Sequence, residues 1–146
     1  MSKTKGFTLI ELLVVIAIIG ILAAIVLVAL GDAQDRARDA TIQSELGQMR
    51  AQAQLYTEDN FDAVCTDDTT GIADLYDSVE ETASDAGCGG LDDEWAAWGQ
   101  LRSDEDKAWC VDYTGASREV DYSAVDSYSG VDGGLTECPS ATSTNP

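Results

Sequence analysis

The chain has 146 residues, a length that suits one domain, and carries 8 Lys plus Arg against 27 Asp plus Glu, a formal charge of −19. So acidic a chain disfavours nucleic acid and anionic headgroups, since binding either requires positive charge to neutralise phosphates. It has no histidine, no nucleophile elbow and no phosphate-binding loop, so the usual catalytic constellations are missing and no enzymatic activity is expected.

The first element is a short leader, Met1-Ser2-Lys3-Thr4-Lys5-Gly6, followed by an apolar run from Phe7 to Leu30. Those 24 residues exceed the 7 to 15 of a secretory h-region, although Ala29-Leu30-Gly31 imitates a small-residue cleavage site. They are enough to cross a bilayer, which takes about 20. Lys3 and Lys5 favour a cytoplasmic N-terminus, with the acidic remainder outside. Glu11 is the exception within the run. A carboxylate there costs a few kcal/mol in hydrocarbon unless it is neutralised, so it marks a functional site by default. A plain single-span anchor explains the run but gives no reason for Glu11.

The words around that acid, Lys5-Gly6-Phe7-Thr8-Leu9-Ile10-Glu11-Leu12, resemble the processing signal of type IV prepilins and of the related type II secretion pseudopilins. The resemblance implies that a prepilin peptidase cuts between Gly6 and Phe7 and methylates Phe7. It implies that Glu11 then meets the freed amino group of Phe7 on an adjacent subunit and sets the axial register. Thr8 either assists with its hydroxyl or is a neutral helix residue. Losing the leader removes Lys3 and Lys5 and leaves 6 basic against 27 acidic side chains, a charge of −21.

Beyond Gly31 the pattern turns amphipathic. Ala33, Ala37 and Ala40, then Ile42, Leu46, Met49, Ala53 and Tyr56 recur at helical spacing. Asp32 with Arg36 and Asp35 with Arg38 add i,i+4 and i,i+3 pairs. No proline falls between Phe7 and Asn60, so one continuous helix from about Phe7 to about Asp59 is expected, roughly 80 Å long. Its parts are a transmembrane or filament-core half (residues 7–30) and an amphipathic half (residues 31–59). Gly20 is its weak point, costing about 1 kcal/mol relative to alanine. It serves either close helix packing or local melting during assembly, and the chain lacks the proline many pilins carry further along this segment.

Residues 60–146 are rich in Gly, Ser, Thr and Asp. Phe61 to Leu91 reads mostly as loop, with a short helical piece around Ala73 to Glu81. Trp95, Trp98 and Leu101 suggest a first strand. Trp109, Val111 and Tyr113 alternate with Ala108, Cys110 and Asp112 in a half-buried strand, and a turn at Thr114 to Ser117 leads to a return strand with Val120 and Tyr122. The expected fold is therefore α+β, a long N-terminal helix whose alanine and leucine face is covered by a small antiparallel sheet. Residues Ala141 to Pro146 are expected to be a mobile tail.

Cys65, Cys88, Cys110 and Cys138 lie on the exported side, where disulfides persist. Without histidine or a C-x-x-C spacing, zinc is not expected. Three connectivities are open. The pairing favoured is Cys65 with Cys88 and Cys110 with Cys138, each closing a loop of roughly 20 to 30 residues and worth about 3 kcal/mol. The resemblance supports the second bridge, since pilins often close a C-terminal loop with a disulfide.

Acid clusters such as Asp67-Asp68, Asp92-Asp93-Glu94 and Asp104-Glu105-Asp106 read as solvated loops that serve solubility. Calcium, with its six to eight oxygen ligands, is the alternative for Asp121, Asp126 and Asp132 with Ser127, Ser129, Gly130, Gly133 and Gly134. Major pseudopilins carry calcium in a comparable loop, but no spacing here matches theirs residue by residue, and no cofactor is expected.

The expected role is a structural subunit of an extracellular type IV pilus, supporting adhesion, motility or DNA uptake. It would be inserted in the cytoplasmic membrane before assembly. Its partners would be other copies of itself, the prepilin peptidase and the inner-membrane assembly machinery, with no direct nucleic-acid binding. A type II secretion pseudopilin and a membrane-anchored binding domain that never polymerises are the alternatives.

Overall fold

A computed structural model of the protein describes residues 6–55, 61, 64–66, 71–128, 130–131 and 134–140. The chain divides into two compact units, Met1–Gln34 and Asp35–Pro146. The first helix, α1, runs from Leu9 to Ala53, 45 residues. It starts two residues later than Phe7 because Thr8 is its cap, and it gives way to a turn at Gln54 and Leu55 rather than continuing to Asp59. Tyr56, Asp59 and Asn60 lie outside the described residues.

In the first unit the apolar side chains of α1 have nothing packed on them. Phe7, Leu9, Ile10 and Ile16 are 73, 79, 74 and 61% exposed, and the run stays open as far as Leu30, at 55%. An 18-residue window of α1 reaches a mean hydropathy of 3.4 with none of it buried. By length and composition this helix is able to cross a membrane.

The second unit owes its core to the later turns of α1. Ile42, Leu46, Met49 and Ala53, spaced three and four apart, are buried. Ala33, Ala37 and Ala40 are exposed instead, so the helix packs by its large side chains and the earlier alanines do not belong to that stripe. Asp39 is buried where an apolar residue would be expected. Its two carboxylate oxygens accept hydrogen bonds from the backbone N–H groups of Arg102 and Ser103, at 2.5 and 3.2 Å. Burying a charge is costly unless hydrogen bonds compensate it.

After α1, the described residues form α2 (Ile72–Thr82) and five strands: β1 (Ala86–Leu91), β2 (Glu94–Gln100), β3 (Lys107–Asp112), β4 (Ser117–Asp121) and β5 (Gly130–Val131). The sheet order is β4-β3-β2-β1-β5. β1 to β4 form an antiparallel meander, and the two-residue β5 joins β1 in parallel. Tyr122, expected in the return strand, opens a 3-10 turn just after β4.

β1 replaces a segment expected to be loop. Its sequence, Ala-Gly-Cys-Gly-Gly-Leu, has the composition of a turn, but the glycines answer a packing need. A Cβ at Gly90 would lie 2.0 Å from the Phe61 carbonyl oxygen, and one at Gly87 would lie 2.1 Å from that of Tyr128. Backbone passes directly over this strand on both sides, and only glycine leaves room.

The sheet is covered on both faces, which corrects the expectation of a half-buried strand. Trp95, Ala97 and Val111 pack with α1 and α2. Trp98, Ala108 and Cys110 point the other way and pack with Val120, Val125, Leu135 and Cys138. Trp98 is fully buried there and meets Tyr122 edge-on at 5.9 Å. The return of the C-terminal segment across the sheet buries the face that alternation alone would assign to solvent.

Candidate functional site

The described part of the processing signal starts at Gly6. Gly6 and Phe7 precede the helix and are exposed, and Lys3 and Lys5 lie outside the described residues. Thr8 then caps α1. Its hydroxyl accepts the Glu11 N–H at 3.3 Å, while the Glu11 carboxylate accepts the Thr8 backbone N–H at 2.9 Å and the Thr8 hydroxyl at 2.7 Å. This reciprocal Thr-x-x-Glu arrangement is a capping box. The pattern is present in the sequence as Thr8-Leu9-Ile10-Glu11, and of the two readings open for Thr8 the hydroxyl is the one in use, as a helix cap.

The capping box fixes where the carboxylate points. Glu11 is in the first turn of α1, where the unpaired N–H groups and the helix dipole favour negative charge. Its side chain is drawn back toward the peptide unit joining Phe7 to Thr8, one residue beyond the Gly6–Phe7 bond. The acid is thus positioned beside an exposed segment at the head of a bare apolar helix. Gly20 has open space around it, with nothing within 4 Å of an added Cβ.

The other candidates lie in the second unit. Disulfides join Cys65 to Cys88 and Cys110 to Cys138, across sequence separations of 23 and 28 residues. Close to the second bridge is a residue that sequence reasoning treated only as an alternating position. Asp112, at the end of β3, is fully buried. One carboxylate oxygen accepts the Thr114 N–H, the Thr114 hydroxyl and the Ala116 N–H at 2.9, 2.6 and 3.0 Å. The other accepts the Cys138 N–H at 2.9 Å. Burial pushes this carboxyl up, but hydrogen bonds from Thr114, Cys138 and Ala116 outweigh it and hold it below the usual aspartate range. Asp112 thus fastens the β3–β4 turn and the C-terminal segment together.

The loop considered for calcium is only partly described. Asp132, Ser129 and Gly133 lie outside the described residues. Asp121 is engaged by the Lys107 ammonium at 2.7 Å, and Asp126 begins a separate 3-10 turn. No group of three or more His, Cys, Asp or Glu side chains able to hold a metal ion occurs among the described residues. Asp67 and Asp68 also fall outside them.

A long apolar N-terminal helix, capped through an acid beside a cleavage signal and followed by a small disulfide-bonded α+β unit, defines the pilin-like class. Residues 1–27 match the family model of the prokaryotic N-terminal methylation motif. A type IV major fimbrial protein FimA of Dichelobacter nodosus is 38% identical over 101 residues, 65% of each chain. The type IV wide pilus major component PilA4 of Thermus thermophilus is 47% identical over 60 residues, 41% of this chain and 46% of that one. The type IV major alpha-pilin of Moraxella bovis is 54% identical over 46 residues, 32% of this chain and 29% of the relative. The chain therefore spans about 65% of the length of the FimA relative it matches. No solved structure gives a significant match. Over these segments the chain is similar to type IV major pilins, and its fold is pilin-like.

Proposed function

We propose that this chain is the structural subunit of a type IV pilus filament. A prepilin peptidase removes residues 1–6 and methylates Phe7, and the mature chain polymerises through its apolar N-terminal helix. The observation that carries this reading is the juxtaposition at the start of α1: a methylation-motif match over residues 1–27, an exposed apolar helix, and a Glu11 carboxylate turned back toward residue 8. Before assembly the subunit is held in the cytoplasmic membrane, and afterwards it is part of a surface fibre, so its partners are further copies of itself and the inner-membrane assembly machinery. Adhesion, motility or DNA uptake would be properties of that fibre, and the reading calls on no cofactor.

Cleavage frees the Phe7 amine, which is positively charged near neutral pH with a reference pKa of about 7.7 to 8.0. Inside an apolar filament core that amine needs a counter-charge, and removing one member of a buried pair costs about 3 to 5 kcal/mol by stranding the other. Glu11 on an adjacent copy supplies it. The test is Glu11→Val in the full chain. Intact mass should show a mature protein beginning at methylated Phe7 in both forms, while electron microscopy shows fibres from the unaltered chain and few or none from the variant. A mature chain that begins at Met1, or abundant fibres from the variant, would refute the reading.

A further inference from the structure

The mature chain has six cationic side chains to set against 27 acids, and the structure shows where most of the six are committed. Arg50 donates to the Gly115 carbonyl at 2.7 Å, Arg102 to the Ser84 hydroxyl at 2.7 Å, and Arg118 to the Cys138 carbonyl at 2.8 Å. Lys107 is paired with Asp121 at 2.7 Å. All four serve the second unit's own fold. The remaining two, Arg36 and Arg38, are exposed and lie within one turn of α1. Arg36 makes no hydrogen bond or ion pair among the described residues. Arg38 has only a 3.6 Å contact with Asp35, between side chains 48 and 39% exposed, a pair that contributes little.

We infer that Arg36 and Arg38 form the positive half of the contact between neighbouring copies in the filament, where they receive carboxylates from the acidic second unit of an adjacent copy. This rests on the filament reading and names the part of the subunit that makes assembly electrostatically tolerable. Like-charged subunits repel when brought together, and with −21 per mature copy each neighbour offers carboxylates in excess but few cations. Asp104, Glu105 and Asp106, all exposed, typify the available acids. The guanidinium group suits this task, since it grips a carboxylate with two parallel hydrogen bonds and stays charged at any physiological pH. The arginines follow Leu30 by only six and eight residues, so copies packed through their apolar helices bring this turn close to a neighbour.

The experiment uses the full chain in cells that assemble it. R36E/R38E should leave the membrane pool and cleavage after Gly6 at wild-type levels while filament yield falls at least tenfold, and R36K/R38K should restore most of the yield. Filaments assembled from a mixture of isotope-light and isotope-heavy R36K/R38K chains, treated with a carbodiimide, should then give light–heavy amide cross-links at position 36 or 38. Wild-type filament yield from R36E/R38E overturns the inference. So does a loss of the processed membrane pool equal to the loss of filaments, which would assign the arginines to the membrane surface. Cross-links at these positions found only within one copy overturn it as well. Failure of the filament reading itself is distinguished because the unaltered chain, in the same cells, would then make no fibres.

Discussion

Replacing Asp112 with alanine tests how far the second unit depends on one buried carboxylate. The substitution removes four hydrogen bonds at once, three that shape the β3–β4 turn and one that holds the Cys138 N–H. That last donor is buried and has no route to water, and leaving it unpaired costs about 1 to 3 kcal/mol. Loss of the charge-assisted bonds at the turn adds about 1.5 to 3 kcal/mol, partly recovered where water reaches Thr114. The expected total is about 3 to 5 kcal/mol, a large share of the 5 to 15 kcal/mol typical of a whole domain. Denaturant unfolding of the detergent-solubilised chain with both disulfides intact reads it out, since Trp95 and Trp98 are 2 and 0% exposed and their fluorescence reports the core. The pH dependence supplies a second reading. Because the folded-state pKa of Asp112 is depressed, its contribution is fully present above the unfolded value of about 3.9 and is lost as pH falls through the lower folded value. The unaltered protein should therefore lose stability below about pH 4 more steeply than Asp112→Ala. A variant within about 0.5 kcal/mol of the original, the usual effect of a surface change, would refute the role given to this residue.

Three further outcomes follow from the same packing. Gly90→Ala places a methyl group into the Phe61 carbonyl and should cost about 1 to 3 kcal/mol, seen as a lower denaturation midpoint, whereas the same change at Gly47, with open space around it, should be neutral or slightly stabilising. Replacing both Cys110 and Cys138 with alanine should cost about 3 to 4 kcal/mol from a closed loop of this length while membrane insertion is unchanged; equal stability of the two forms would show that the bridge adds nothing. The Tyr122 hydroxyl donates to Asp85 at 2.8 Å, and that bond together with burial pushes its pKa up to about 12. Its contribution is intact below about pH 10, the unfolded value, and declines as pH rises toward 12, so a tyrosinate titration of Tyr122→Phe should lack one late-ionising group.

Much of the N-terminal half was legible because its signals are local. Apolarity from Phe7 to Leu30, broken by an acid at position 11, and the absence of proline need no distant contact to be read, and they indicate the long helix and the membrane-length segment. The stripe Ile42, Leu46, Met49 and Ala53 was legible for the same reason, since a helix repeats its face every three to four residues. The two readings open for Thr8 are separated only by the geometry of its contact with Glu11, which makes it a cap.

What tertiary structure alone decided lies mostly between Gly71 and Cys138. The glycine-rich segment 87–90 has the local propensity of a turn, and it is a strand because it pairs with β2, while the Phe61 and Tyr128 backbones, far away in sequence, leave room only for glycine. Alternation in β3 correctly separated Trp109 and Val111 from Ala108 and Cys110, but it could not show that both faces are covered, because the covering segment, with Val125 and Leu135, arrives after the strand has ended. The acids Asp39 and Asp112 look like any other members of an abundant residue class. Only the fold gives them their backbone donors, Arg102 and Ser103 for one and Thr114, Ala116 and Cys138 for the other. In a chain with 27 acidic residues, composition hides which carboxylates are structural, and the placement of N–H groups distant in sequence decides it.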